Sequence, residues 1–368
     1  VDFTLSRASL VAALTGPASV ADKRPTSPIM AAVLVQARGD GLTLTATDKA
    51  VTLAAQHPAA VQTPGEAAIG VSDFLNVVKN LAEGPVRVRL VENGRIQVTA
   101  GQSVFKLNAF PAADFPVMPQ IAGAKAVTFA GADLRRMIAQ TIADVADEDN
   151  RYGLNGVHVE TVGDGILRFV GTDGNRLGYS EGPYTGEFAM GRKLMLPRKA
   201  LLEMRKLCEG VAGTVELGFL DRAAVFRAGP VVLHARLLEA DFPDYRQVLP
   251  STFKRRILLD RAVFAEAVKR VAIFATDGAR SVRFAFAADE LVMTARKLDA
   301  GDSREQIPAD ITGEPITMGF NSRFVLDALA TMAGPRVALD LGDTLSPAKL
   351  TDPDDARAVA IIMPVRLD

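Results

Sequence analysis

Ala113-Asp114-Phe115-Pro116 recurs as Ala240-Asp241-Phe242-Pro243, a shift of 127 residues in a chain of 368. Each copy follows a strand that alternates apolar and polar residues, and each precedes a loop with a further proline, Pro119 or Pro250. Self-similarity at a fixed spacing marks repeated architecture, and this spacing is far too long for a helical solenoid. The repeated unit is therefore a domain.

Working outward, a short strand runs into a helix at Phe3–Leu10, again at Val127–Leu134 and again at Ile257–Phe264. Later in each unit a second helix is expected. Phe74, Leu75, Val78 and Leu81 follow Ser72 and Asp73; Leu201, Met204 and Cys208 follow Pro197; Phe324, Val325, Ala328, Leu329 and Met332 follow Asn321 and Ser322. Spacings of three and four put each set on one helical face, and Pro, Ser, Asp and Asn favour helix starts. Between the helices the period changes to two. Val86, Val88 and Leu90 alternate with Arg87 and Arg89, and Glu92-Asn93-Gly94 reads as a hairpin turn. The pattern predicts an α+β fold of three tandem similar domains, each with two helices packed on antiparallel sheet. Boundaries near 122 and 250 give domains 1–122, 123–250 and 251–368.

Formal net charge is -1, from 42 Lys and Arg against 43 Asp and Glu. A protein that coats nucleic acid by charge alone is usually strongly basic, so any contact with DNA has to come from a local basic surface or from topology. No apolar run is long enough to span a membrane as a helix. Val1–Arg7 has no basic segment followed by an apolar core, so no secretory leader is expected there. Cys208 is the single cysteine, which excludes an intramolecular disulfide and fits a cytoplasmic location.

Catalytic patterns are sparse. His57, His158 and His234 lie far apart, so no zinc-ligand spacing exists, and neither a metal nor another cofactor is expected. No phosphate-binding GxxxxGK[ST] loop occurs, and Gly171-Thr172-Asp173-Gly174 lacks the following Lys. Asp147-Glu148-Asp149 is the densest acidic cluster; a metal-dependent nuclease is the enzyme class it would serve, and a solvated loop is the simpler reading.

Several segments, in order along the chain, resemble the bacterial DNA sliding clamps, the beta subunit of DNA polymerase III. They are Arg24-Pro25-Thr26 with Pro28-Ile29, Arg151-Tyr152 with Leu154-Asn155-Gly156, Thr172-Asp173-Gly174 with Arg176-Leu177, Pro197-Arg198-Lys199, Phe242-Pro243-Asp244-Tyr245-Arg246 and Met363-Pro364-Val365-Arg366-Leu367. The resemblance implies a non-catalytic processivity factor: two chains closing head to tail into a six-domain ring, helices lining the hole and sheets outside. A specialised clamp paralogue from a plasmid, phage or repair system is the alternative of the same fold.

The resemblance also implies sites. Arg24, Tyr152, Arg198 and Lys199 match positions that face duplex DNA. Basic Arg135, Arg136, Arg205 and Lys206 on candidate inner helices would add to such a surface. Phe105 and Leu107 of one chain would meet Ile273 and Phe274 of the other in a homodimer, with Arg95 and Lys106 facing Asp302 and Glu305. A pocket for short peptide motifs of polymerase subunits, clamp loader and repair proteins maps to Leu154, Thr172, Gly174, Arg176, Leu177, Pro243, Val248, Ile361, Met363, Pro364, Val365 and Arg366. Within it Arg176 and Arg366 are expected to hydrogen-bond the guest. The chain departs from the family pattern at Gly153, which bears on one DNA contact, and at Asn175, Gln247, Pro347 and Asp368, which bear on which motif it prefers.

Overall fold

The computed structural model describes residues 1–117, 124–146, 154–188, 194–276 and 278–367. Tyr152, Gly153, Asp368, the cluster 147–149 and the boundary expected near 122 lie outside them. Six α-helices lie among the described residues: α1 (Arg7–Val20), α2 (Val71–Lys79), α3 (Gly131–Ile142), α4 (Arg198–Glu209), α5 (Arg261–Val271) and α6 (Ser322–Thr331). Two fall in each repeat, where the three-and-four spacing put them. The chain forms two compact units: Val1–Ala132 with Thr185–Met190 and Lys199–Leu237, and Asp133–Tyr184 with Gly191–Arg198 and Leu238–Asp368.

In the first unit α1 starts at Ser6, whose hydroxyl accepts the Ser9 N–H at 3.1 Å. It buries Leu10, Ala13, Leu14, Pro17 and Val20 against α2 and the strands Gly41–Thr47 and Val51–Pro58. α2 begins one residue earlier than expected. The strand Gly65–Gly70 runs directly into it, so Ser72 and Asp73 occupy its first turn, where the Asp73 charge suits the helix dipole. Asn93 and Gly94 both adopt left-handed φ of 64°, which is why Asn-Gly makes this turn cheaply.

The sheets do not respect the repeats. A 14-stranded sheet takes strands from the first repeat and from the second, joined where Val231–Arg236 pairs antiparallel with Val51–Pro58, Leu233 opposite Leu53. In the second unit a 9-stranded sheet joins second and third repeats, where Arg176–Pro183 pairs with Asp355–Ile362 and Gly178 lies opposite Ala360. Edge strands carry unpaired N–H and C=O groups, and pairing the edges of successive domains satisfies them.

A 4-stranded sheet completes the second unit. α5 and α6 are capped by Asp260 and Asn321, whose side chains accept N–H groups of Val263 and of Arg323 and Phe324. The core there is aromatic: Phe264 and Phe320 meet Phe284 edge to face at 6.2 and 5.5 Å, and Phe286 stacks on it at 6.4 Å. Such ring pairs add about 0.5–1.5 kcal/mol each beyond area burial.

Candidate functional site

Three chain stretches meet at one end of neighbouring strands in the second unit. Arg176 lies opposite Ile362, Ala348 lies opposite Ile362 on the other side, and the Met363 N–H donates to the Asn175 carbonyl at 3.0 Å. The Thr172–Arg176 turn, the tail from Met363 and the Leu345–Pro347 segment therefore share one edge. The tail goes on to dock on the strand Ile316–Asn321, where the Val365 N–H donates to the Gly319 carbonyl at 2.9 Å. Gly319 is required for that approach, because a Cβ there would lie 2.6 Å from the Val365 carbonyl oxygen.

Beneath this edge Leu154, Leu177 and Ile361 pack into one buried cluster with Val170, Met195, Phe242, Tyr245 and Val359. The sequence assigns these three to the peptide pocket, and all three are buried in the structure. The accessible apolar groups are Val248, 45% exposed at the end of a 3-10 turn anchored by Tyr245, and Met363, 38% exposed. Leu345, 74% exposed, joins them and escaped the sequence reading, since one leucine in a polar loop carries no periodicity. Gly174, Pro243 and Arg366 are exposed, Pro364 and Val365 half-buried.

Two residues assigned to the pocket make internal bonds instead. The Thr172 hydroxyl donates to the Arg176 carbonyl at 2.6 Å and accepts the Gly174 N–H, shaping the turn. Arg176 is buried: its guanidinium lies 3.0 Å from Asp173, 2.7 Å from Asp327 and 3.6 Å from Asp144, and stacks over Phe324 at 4.3 Å. Arg176, expected to hydrogen-bond a guest, has its Nε and one Nη bonded within this carboxylate cluster. Burial pushes the Asp144 carboxyl up to about 7, with Arg176 opposing the shift and Asp173 and Asp327 adding to it. Of the departures, Asn175 lends its carbonyl to the tail and Gln247 donates to Asp244 at 3.2 Å.

Basic residues concentrate on the helices. The six carry twelve Lys or Arg and only six Asp or Glu, in a chain of net charge -1. Arg24 is exposed on the loop after α1, its N–H fixed by Asp22 at 2.9 Å, and Arg135 is exposed on α3. Lys199 is half-buried, bonding the Val20 carbonyl at 2.7 Å and the Asp48 carboxylate at 2.5 Å. Arg198 donates to the Ile142 and Val145 carbonyls at the end of α3. Arg136 faces inward, bonding Gln140, Ser180 and the Glu181 carbonyl, so it does not belong to an outward basic surface. Lys206 pairs with Glu203 one turn back on α4.

In the strand Ser103–Phe110, Ser103–Asn108 pair with Arg95–Ala100, but on the other side only Ala109 and Phe110 find partners. Ser103–Asn108 is therefore a free edge among the described residues. Phe105 and Leu107 lie opposite the buried Val98 and Ile96. They continue the core face past its cover, leaving Phe105 42% exposed and Leu107 half-buried. Gly301–Pro308 is likewise the edge of the 4-stranded sheet. Beside it Ile273 is 67% exposed, whereas Phe274 packs partly on its own core. Glu305 is held by Arg270 through two bonds of 2.8 and 3.0 Å, which leaves Asp302 as the freer of the two acids assigned to this edge.

Among the described residues, no group of three His, Cys, Asp or Glu is placed to hold a metal ion. His158 stacks on Phe242 at 5.0 Å, a structural contact, and burial pushes His57 and His234 below the usual imidazole value.

The chain matches the DNA polymerase III beta subunit throughout: its N-terminal domain over residues 1–119, central domain over 128–244 and C-terminal domain over 246–366. The beta sliding clamp of Caulobacter vibrioides is 34% identical across 99% of this chain and 100% of its own length. The solved beta subunit of Caulobacter crescentus superposes with a TM-score of 0.91 at 34% identity, covering both chains fully. A Pseudomonas aeruginosa sliding clamp bound to griselimycin gives 0.92 at 30%, covering 100% of this chain and 99% of that one. Repeat, fold and full-length similarity agree, and the chain belongs to the DNA polymerase III beta subunit family, the beta sliding clamps.

Proposed function

We propose that two copies of this chain close into a ring of six domains around duplex DNA and tether polymerase and repair proteins through the apolar rim at the tail. The family role is that of a non-catalytic processivity factor in DNA replication. A threaded ring needs no strong or sequence-specific contact; weak phosphate contacts hold it loosely and let it slide. The observation that carries the reading is the charge distribution: basic residues gather on the helices while the whole chain is nearly neutral. Arg24, Arg198 and Lys199 are the proposed DNA-facing set, with Tyr152 by resemblance; Arg24 is the most exposed, while Lys199 and Arg198 also brace neighbouring segments.

Closure of the ring is assigned to the free edge Ser103–Asn108 and the edge strand Gly301–Pro308 of the other chain. Exposed strand edges invite pairing, and Phe105, Leu107, Ile273 and Phe274 supply the apolar centre that interfaces need. Domain boundaries near 122 and 250 and a cytoplasmic location belong to the same proposal. Replacing Ile273 and Phe274 together by Ala shifts the sedimentation equilibrium from dimer toward monomer; an unchanged dimer removes them from the interface. Deleting Met363 to Asp368 abolishes binding of a labelled clamp-binding peptide and leaves the dimer, whereas undiminished binding moves the pocket elsewhere.

A further inference from the structure

We infer that Arg176 is a positioning residue of the peptide pocket, holding the Thr172–Arg176 turn against α6 through Asp144, Asp173 and Asp327 and acting on the guest through that turn. The inference rests on the pocket proposed above. Its basis is three elements joined at one place, two of them through one buried guanidinium. The first is the Thr172–Arg176 turn: the Arg176 N–H donates to the Asp173 carboxylate at 3.1 Å, its carbonyl accepts the Thr172 hydroxyl, and its Nε returns to Asp173 at 3.0 Å. The second is α6, reached through Asp327 at 2.7 Å and through stacking on Phe324 at 4.3 Å. The third is the tail, tied to the same turn by the Met363 N–H to the Asn175 carbonyl.

Asp144 completes the arrangement from the segment after α3. It is 7% exposed and lies 3.6 Å from the Arg176 Nε. Its carboxyl fills the place a side chain at Gly178 would take, since a Cβ there would lie 2.0 Å from Asp144 Oδ2. The guanidinium thus has acids on three elements, which fixes it far better than one ion pair would. A planar fork suits such a multi-partner site and an ammonium does not. Its side chain is 6% exposed, and its Nε and one Nη are bonded to Asp173 and Asp327, so the protein itself fixes the guanidinium.

The test is a double-mutant cycle between protein and guest. The probe is a short fluorescein-labelled peptide with Leu and Phe anchors and one Asp, read by anisotropy with the full chain. Arg176→Met is expected to weaken binding about tenfold, and Arg176→Lys less, because one carboxylate can still be reached. Changing the guest Asp to Asn should cost the same factor with wild type and with each Arg176 variant. Adding Asp327→Asn to Arg176→Met should cause no further loss, since the two act through one link. Binding unchanged in both Arg176 variants overturns the inference, as does a guest Asp effect that disappears when Arg176 is replaced, which would reveal direct contact. Should Arg176→Met fail to fold, as judged by near-UV circular dichroism, the same cycle on Arg176→Lys decides. Met363→Glu separates the two levels. If it leaves binding intact, the pocket reading falls; if it abolishes binding while the Arg176 variants bind normally, only the inference falls.

Discussion

Asp144 is a carboxyl buried beside a guanidinium that two other carboxylates already neutralise, and its proton has consequences for the whole unit. Burial raises it from an ordinary 3.8 to about 7, so the folded chain binds this proton more tightly than the unfolded chain. Its contribution to stability is complete below about pH 4 and is lost as pH rises toward 7, by at most about 1.4 kcal/mol per pH unit. Asp144→Asn keeps a neutral group in that space. The variant should lose most of the decline in melting temperature between pH 5 and pH 7 and exceed wild type at pH 8; an unchanged decline means the proton sits elsewhere. None of this was legible in the sequence. Asp144 belongs to no motif, and its partner Arg176, like the Asp327 that Arg176 also bonds, comes from a distant segment. Leu154, Leu177 and Ile361 were legible as a set that meets in space, but their burial was not, because burial depends on what covers a side chain and not on its own identity.

Helices were the most readable elements, because each carries its own instructions. Asp260 and Asn321 cap α5 and α6, and the buried residues of α4 fall at three-and-four spacing. Strand pairing was less readable. Alternation identifies Val51–Pro58 and Val231–Arg236 as strands, but nothing local says that they pair across a repeat boundary. The tail is the element on which the peptide site depends, and its docking point is narrow. Gly319→Val would drive side-chain atoms into Val365 and Leu367, which lie 2.6 and 2.8 Å from the Cβ position. That variant should release the tail and weaken peptide binding about tenfold or more while leaving dimer sedimentation unchanged; full affinity would show that the tail needs no such anchor.

At the scale of the whole molecule, near-neutral charge fits a protein whose activity is to stay threaded. The repeat of Ala-Asp-Phe-Pro made three domains legible, and the motifs from Arg24 to Leu367 made the family legible. Closure was legible only through that family, because a free edge such as Ser103–Asn108 becomes visible once its neighbours are placed. If topology holds the ring and adhesion does not, retention should depend on the shape of the DNA. The decisive measurement loads the protein onto nicked circular plasmid with its clamp loader, isolates the complex by gel filtration, and then cuts the plasmid once. The account predicts co-elution with the circle at moderate salt and release on linearisation. Equal retention on circular and linear DNA would contradict it.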